Sequence, residues 1–205
     1  MASKRNQSLL KMVQLAILTA VVLVLQSAGI VIRIPVLGTP VSLVLIPIAL
    51  GAMILGPAAG AWLGFVFGLV VYVQCGVMGL DPFTAFLFQQ NPVITAGICL
   101  VKSTLAGFLA GVCYRTLSKE NELLAVFVAA SVTPIVNTGV FVLGCFIIMD
   151  TISEFADNIG YGKSALHFIF IGCAGLNFIF EFVINMIFAP SLRRIIHLVG
   201  KKVRR

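Results

Sequence analysis

Two ionisable side chains fall inside long apolar runs of this 205-residue chain: Lys102, within Val93–Tyr114, and Glu181, within Ser164–Pro190. A charge at such a position costs about 2.5–3.5 kcal/mol on insertion scales and marks function by default. Asn137 and Asn177 belong to two neighbouring apolar runs, at a depth similar to that of Lys102. If the three face one another, an ammonium and two amides make a pocket for a small anion that carries amide or hydroxyl groups. Glu181 lies one helical turn from Asn177 and on the same face. Two readings of it stand. Glu181 pairs with Lys102 and the two buried charges satisfy each other, or Lys102 serves the pocket while Glu181 is engaged elsewhere.

A second candidate is the stretch from Asp81 to Pro92. Phe83, Phe86 and Phe88 alternate there with Thr84, Gln89, Gln90 and Asn91. Aromatic rings and amides on a long loop suit a lid over an outward-facing site. They equally suit an interfacial segment anchored by its rings. Signatures of catalysis are absent: no G-x-S-x-G, no H-E-x-x-H and no P-loop occurs. Nothing in the sequence calls for a cofactor. The five cysteines (Cys75, Cys99, Cys113, Cys145 and Cys173) form no C-x-x-C pair and have no histidine at zinc spacing. They read as small buried hydrophobes, and no metal site is expected.

The elements that must position these groups follow from the apolar pattern. Hydrophobic residues make up 60% of the chain and charged residues 10%, far below the charged quarter of a soluble domain. Lipid is therefore the expected solvent, and the fold class is an all-α integral membrane bundle forming a single domain over 1–205. Six spans are expected: Met12–Ile32, Ser42–Gly56, Ala58–Cys75, Val93–Tyr114, Leu123–Met149 and Ser164–Pro190. The second is short for a bilayer. Arg33, Pro35, Gly38 and Pro40 break the chain before it, and Gly56-Pro57 turns it afterwards. Gly76–Pro92 and Asp150–Lys163 are read as loops. The basic start followed by an apolar run resembles a signal peptide, but about twenty apolar residues are enough to span.

Charge sets the orientation. The net charge is +7, and eleven of the fourteen basic residues gather at the N-terminus, in the turn with Arg115 and Lys119, and in the tail from Arg193 to Arg205. They flank apolar runs without forming a stripe, which argues against nucleic acid and for anchors on the inner side. Six spans place both termini on that cytoplasmic side. Asp81, Asp150, Glu154 and Asp157 then fall outside. Small residues recur every four positions as Gly60, Gly64 and Gly68, as Ala106/Ala110 with Gly107/Gly111, and as Ala16/Ala20. Such faces pack a helix closely on a neighbour within the bundle, or on another membrane subunit.

The stretch Ser42–Gly68, SLVLIPIALGAMILGPAAGAWLGFVFG, resembles the second and third helices of S components of energy-coupling factor (ECF) transporters. Its most specific part is LGP-x-x-G-x-x-x-G-F-x-F-G, from Leu55 to Gly68. The similarity continues through Ala106–Gly111, Asn137-Thr138 and Gly175–Glu181, covering roughly residues 10–195, and is greatest to the pantothenate-type branch. The resemblance implies a six-helix vitamin binder of the bacterial-type plasma membrane. Such a subunit captures its cargo from outside and docks on a transmembrane T component carried by two ATP-binding subunits. It then topples in the membrane to release cargo inward. The family's docking motif A-x-x-x-A is matched by Ala16 and Ala20. Lys102, Asn137 and Asn177 carry over as pocket locations, and a basic residue there suits the carboxylate of pantothenate. Folate and biotin are acids as well. The single tryptophan, Trp62, offers little stacking for a fused ring, which favours a flexible aliphatic acid. The alternatives are a self-sufficient secondary transporter, dimeric through its glycine faces, and a membrane enzyme or assembly factor using Lys102 with Glu181.

Overall fold

A chain with no water to pair its backbone closes its hydrogen bonds internally, as helix. The computed structural model is helical, with no strand, across the residues it describes, 2–31 and 43–203; side chains are described for 6–29 and 43–198. The expected break at Arg33, Pro35, Gly38 and Pro40 lies outside these residues, as do Ile32, Ser42, Arg204 and Arg205. The side chains of Lys4, Arg5, Lys201 and Lys202 also lie outside the description.

Helix α1 spans Ala2–Val31, α2 Leu45–Leu55, and α3 Pro57–Val71. The last runs on into a π-helical segment, Tyr72–Val77. Helix α4 is Pro82–Gln90, α5 Pro92–Leu117, α6 Glu122–Ile147 and α7 Met149–Asn158. A short α8, Ala165–His167, leads through a π-helical segment, Phe168–Gly175, into α9, Leu176–Val203. Among the described residues, five helical stretches are long and apolar enough to cross a membrane: Asn6–Gly29, Pro57–Val77, Pro92–Leu117, Glu122–Ile147 and Ala165–Leu198.

The expected second span is different in kind. Its helix has 11 residues, about 16 Å of rise, against roughly 30 Å of hydrocarbon. Most of it is buried, including Leu45, Ile48, Ala49 and Ala52. It is apolar all round because it is enclosed by the other helices.

Two stretches expected as loops are helices. At 82–90 the signal was local. Asp81 accepts a hydrogen bond from the Thr84 backbone N–H (2.8 Å) and Pro82 occupies the first helical position, the pairing that starts helices. At 149–158 the signal was periodic. Ile152, Phe155 and Ala156 are buried, while Asp150, Glu154 and Asp157 face out, so this polar helix lies with one apolar stripe on the bundle.

Helix α5 is the hub, packed along α3 on one side and α6 on the other, with α9 against α6. The α3–α5 contact is made backbone to backbone. A Cβ on Gly60 would run into the Gly107 carbonyl oxygen, one on Gly64 into that of Ser103, and one on Gly68 into that of Cys99. Steps of four residues bring one glycine per turn to the same line. Two apolar clusters fill the ends of the bundle. One, toward the α5–α6 turn, joins Ala49, Met53, Ala110, Val126, Ala129 and Leu192. The other, at the opposite end, joins Phe83, Leu87, Ile152, Phe155 and Phe168.

Helix α1 is the loosest. Of its most apolar window 6% is buried, against 28–39% in the other four. Val22 is enclosed, with Leu18 and Leu25 packed beside it. Ala16 and Ala20 are exposed on the other side, together with Met12, Val13 and Ile17.

Candidate functional site

Between the two apolar clusters the middle of the bundle stays polar. A cavity of about 90 Å³ opens there. Lys102 reaches it from α5, Asn137 from α6 and Asn177 from α9. These are the three residues placed at one depth by sequence, and the fold brings them to one space. Glu181 joins them from the next turn of α9.

The π-helical segments help to form the walls. Cys75 belongs to the first and Cys173 and Ala174 to the second. A π-turn inserts a residue into the helical repeat and shifts the facing of everything after it, which is why such turns gather at functional sites. Asn177 and Glu181 follow the second segment directly, so their facing depends on it.

The polar contacts give each group a direction. Asn137 is 6% exposed, and its Oδ1 accepts from the Ser103 hydroxyl at 3.4 Å. Asn177 Nδ2 donates to Glu181 Oε1 at 3.3 Å, leaving a buried Oδ1 with no hydrogen-bond partner. Asn185, one turn further on, donates to the Glu181 carbonyl at 2.8 Å. Lys102 Nζ lies 5.0 Å from the centre of the Phe141 ring, a cation–π contact. No carboxylate of the described residues approaches it within 4.0 Å. The ion pair between Lys102 and Glu181, one of the two sequence readings, is not formed here.

Two buried polar wall residues were not anticipated as cavity groups. Asp81, at the start of α4, is 4% exposed and faces the cavity beside Thr84. Gln26 enters from α1 and is also buried. Asp81 looked like a turn residue because Asp-Pro is a common turn pair; its N-cap role was the available signal. For Gln26, an amide deep in an apolar run was the signal.

Gln89, Gln90 and Asn91 do not line this cavity. Gln89 is exposed at the end of α4. Gln90 Nε2 donates to Glu154 on α7 at 3.4 Å, and Asn91 Oδ1 caps α5 by accepting from the Ile94 N–H at 3.1 Å. Trp62 is on the outer surface, half-exposed and stacked on Phe65, so the aromatic faces at the cavity are phenylalanines. Among the described residues, no cluster of three or more His, Cys, Asp or Glu suits a metal.

The fold and the cavity together define a class: a multi-pass helical membrane protein with a cavity that polar and charged side chains enter. A family model described as the substrate-specific component of ECF transporters matches residues 10–193. No curated protein and no solved structure matches the chain. The chain belongs to the substrate-specific components of ECF transporters. Membership identifies it as a transport subunit that binds a small substrate and works with a T and ATPase module.

Proposed function

We propose that this chain captures a vitamin, pantothenate, from outside a bacterial-type plasma membrane and delivers it through a T component driven by two ATP-binding subunits. The observation that carries this reading is the convergence of Lys102, Asn137 and Asn177, from three helices, on one cavity. An ammonium there suits a carboxylate, and the amides suit the hydroxyl and amide groups of pantothenate. On this reading Gln89, Gln90 and Asn91 meet the cargo at the mouth, with α4 as the outer cover.

The same reading has six crossings, α2 lying in the second, and both termini in the cytoplasm. Arg115, Lys119, Arg193 and Arg194 at one end of the bundle support it. So does the acidic face of α7 at the other. Near the basic end His197 lies 3.2 Å from Glu122.

Docking falls to α1. Its exposed Ala16 and Ala20 offer a small-residue face on the helix least held by the bundle, where another helix can approach closely. Tryptophan at either position is expected to abolish pantothenate uptake in cells and to remove the T component from pull-downs. Affinity of the purified subunit for its cargo should stay within about twofold. Equal loss of uptake and binding would remove α1 from docking. A wild-type subunit that drives uptake in liposomes without any ATPase would instead favour a self-sufficient secondary transporter.

A further inference from the structure

Lys102 and Asp81 stand in one cavity and do not pair. Asp81 is 4% exposed. Its Oδ2 accepts from Thr84 twice, from the backbone N–H at 2.8 Å and from the hydroxyl at 2.6 Å. No cation of the described residues lies within 4.0 Å of it. Lys102 has the Phe141 ring at 5.0 Å and, among the described residues, no carboxylate within 4.0 Å. Opposite charges inside a membrane bundle are costly unless each is matched. Here each is left open toward the same small volume. Asn177 adds a third unmet demand, because the Glu181 carboxylate holds its Nδ2 and leaves the Oδ1 as an acceptor without a donor.

Among the described residues the cavity therefore has one cation, Lys102, and two acceptors with capacity to spare, the Asp81 carboxylate and Asn177 Oδ1. A plain carboxylate satisfies only the first. We infer that the cargo is two-ended: an acid that meets Lys102, and a hydrogen-bond donor (hydroxyl, amide N–H or ammonium) that meets Asp81. Asp81 thereby determines specificity, a role that rests on this cavity being the cargo site. Because Asp81 also caps α4, the residue that reads the donor end is the one that starts the covering helix.

The test is calorimetry on the full chain in detergent with four probes. Pantothenate offers hydroxyl donors, biotin ureido N–H donors and 6-aminohexanoate an ammonium, whereas octanoate is an acid with no donor. At least one donor-bearing acid is expected to bind, with octanoate weaker by roughly tenfold or more. Asp81→Asn keeps an N-cap acceptor for α4 but removes the charge. It should weaken the donor-bearing acid by roughly tenfold and leave the thermal midpoint of the empty protein in place. Octanoate binding as tightly as the others, undiminished affinity in Asp81→Asn, or silence from all three donor-bearing acids each overturns the inference. If the variant melts early, the octanoate comparison on the wild type still decides. Pantothenate silent while biotin or 6-aminohexanoate binds in an Asp81-dependent way sinks only the name of the cargo.

Discussion

Lys102→Met is expected to weaken binding of an anionic cargo by roughly 10- to 150-fold and to leave the empty protein at least as stable as before. The affinity loss follows from removing a hydrogen bond to a charged group, about 1.5–3 kcal/mol, at 1.4 kcal/mol per tenfold. Stability moves the other way for a separate reason. Lys102 is an ammonium in the membrane interior whose described surroundings offer a phenylalanine ring and no carboxylate within 4.0 Å. The ring returns about 0.5–2 kcal/mol against an insertion cost of about 2.5–3.5 kcal/mol. Methionine keeps the length and removes the charge. The check is calorimetric affinity for pantothenate beside the thermal midpoint of the empty subunit. A lower midpoint with unchanged affinity would make Lys102 a structural residue and take it out of the site.

Gly64→Val is expected to abolish the folded bundle, and Gly64→Ala to lower its thermal midpoint clearly. A Cβ at Gly64 would meet the carbonyl of Ser103 and, at 3.0 Å, the amide nitrogen of Thr104. Both are backbone atoms of α5 and cannot swing aside as a side chain does. Overpacking costs about 1–3 kcal/mol even where side chains yield, so a backbone obstacle belongs at the upper end for alanine and beyond it for valine. The displaced pair is α3 with α5, the helix that carries Lys102. Gly97→Ala, also on α5, is the control. Nothing lies within 4 Å of a Cβ there, and alanine should be neutral or stabilising by up to about 1 kcal/mol through helix propensity. Size-exclusion profiles and thermal midpoints in detergent read all three variants. If Gly64→Ala matches Gly97→Ala, the close backbone contact does not hold the bundle together.

Much of this architecture was legible because a bilayer leaves few choices. An apolar run must become helix in lipid, so each long apolar run appears as helix, although α1 already begins at Ala2 and α9 runs on through Pro190 to Val203. The small residues at every fourth position of α3 were legible for the same reason, since 3.6 residues per turn lines them up on one face. Helix α2 was harder. Hydropathy reports that a segment avoids water and is silent on whether lipid or other helices surround it. Helices α4 and α7 were missed because both carry polar residues at their solvent faces and at their ends. Their signals were a cap at Asp81 and a stripe of Ile152, Phe155 and Ala156, which a span-counting pass discards.

The sequence by itself determined that the chain lives in a membrane, which segments become its long helices, and that Lys102, Asn137 and Asn177 share a depth. Depth follows from counting residues along a helix, at 1.5 Å each. Tertiary structure decided what depth leaves open, namely the rotation of each helix about its axis and the neighbour it meets. It turned those three residues toward one cavity and brought Asp81 in beneath its own helix cap. It also kept Glu181 off Lys102, and sent Gln90 and Asn91 to a neighbouring helix and a helix start. Rotation is set by packing between helices distant in sequence, such as Gly64 on Ser103, and by the π-turns ahead of Asn177. No count along the chain contains either.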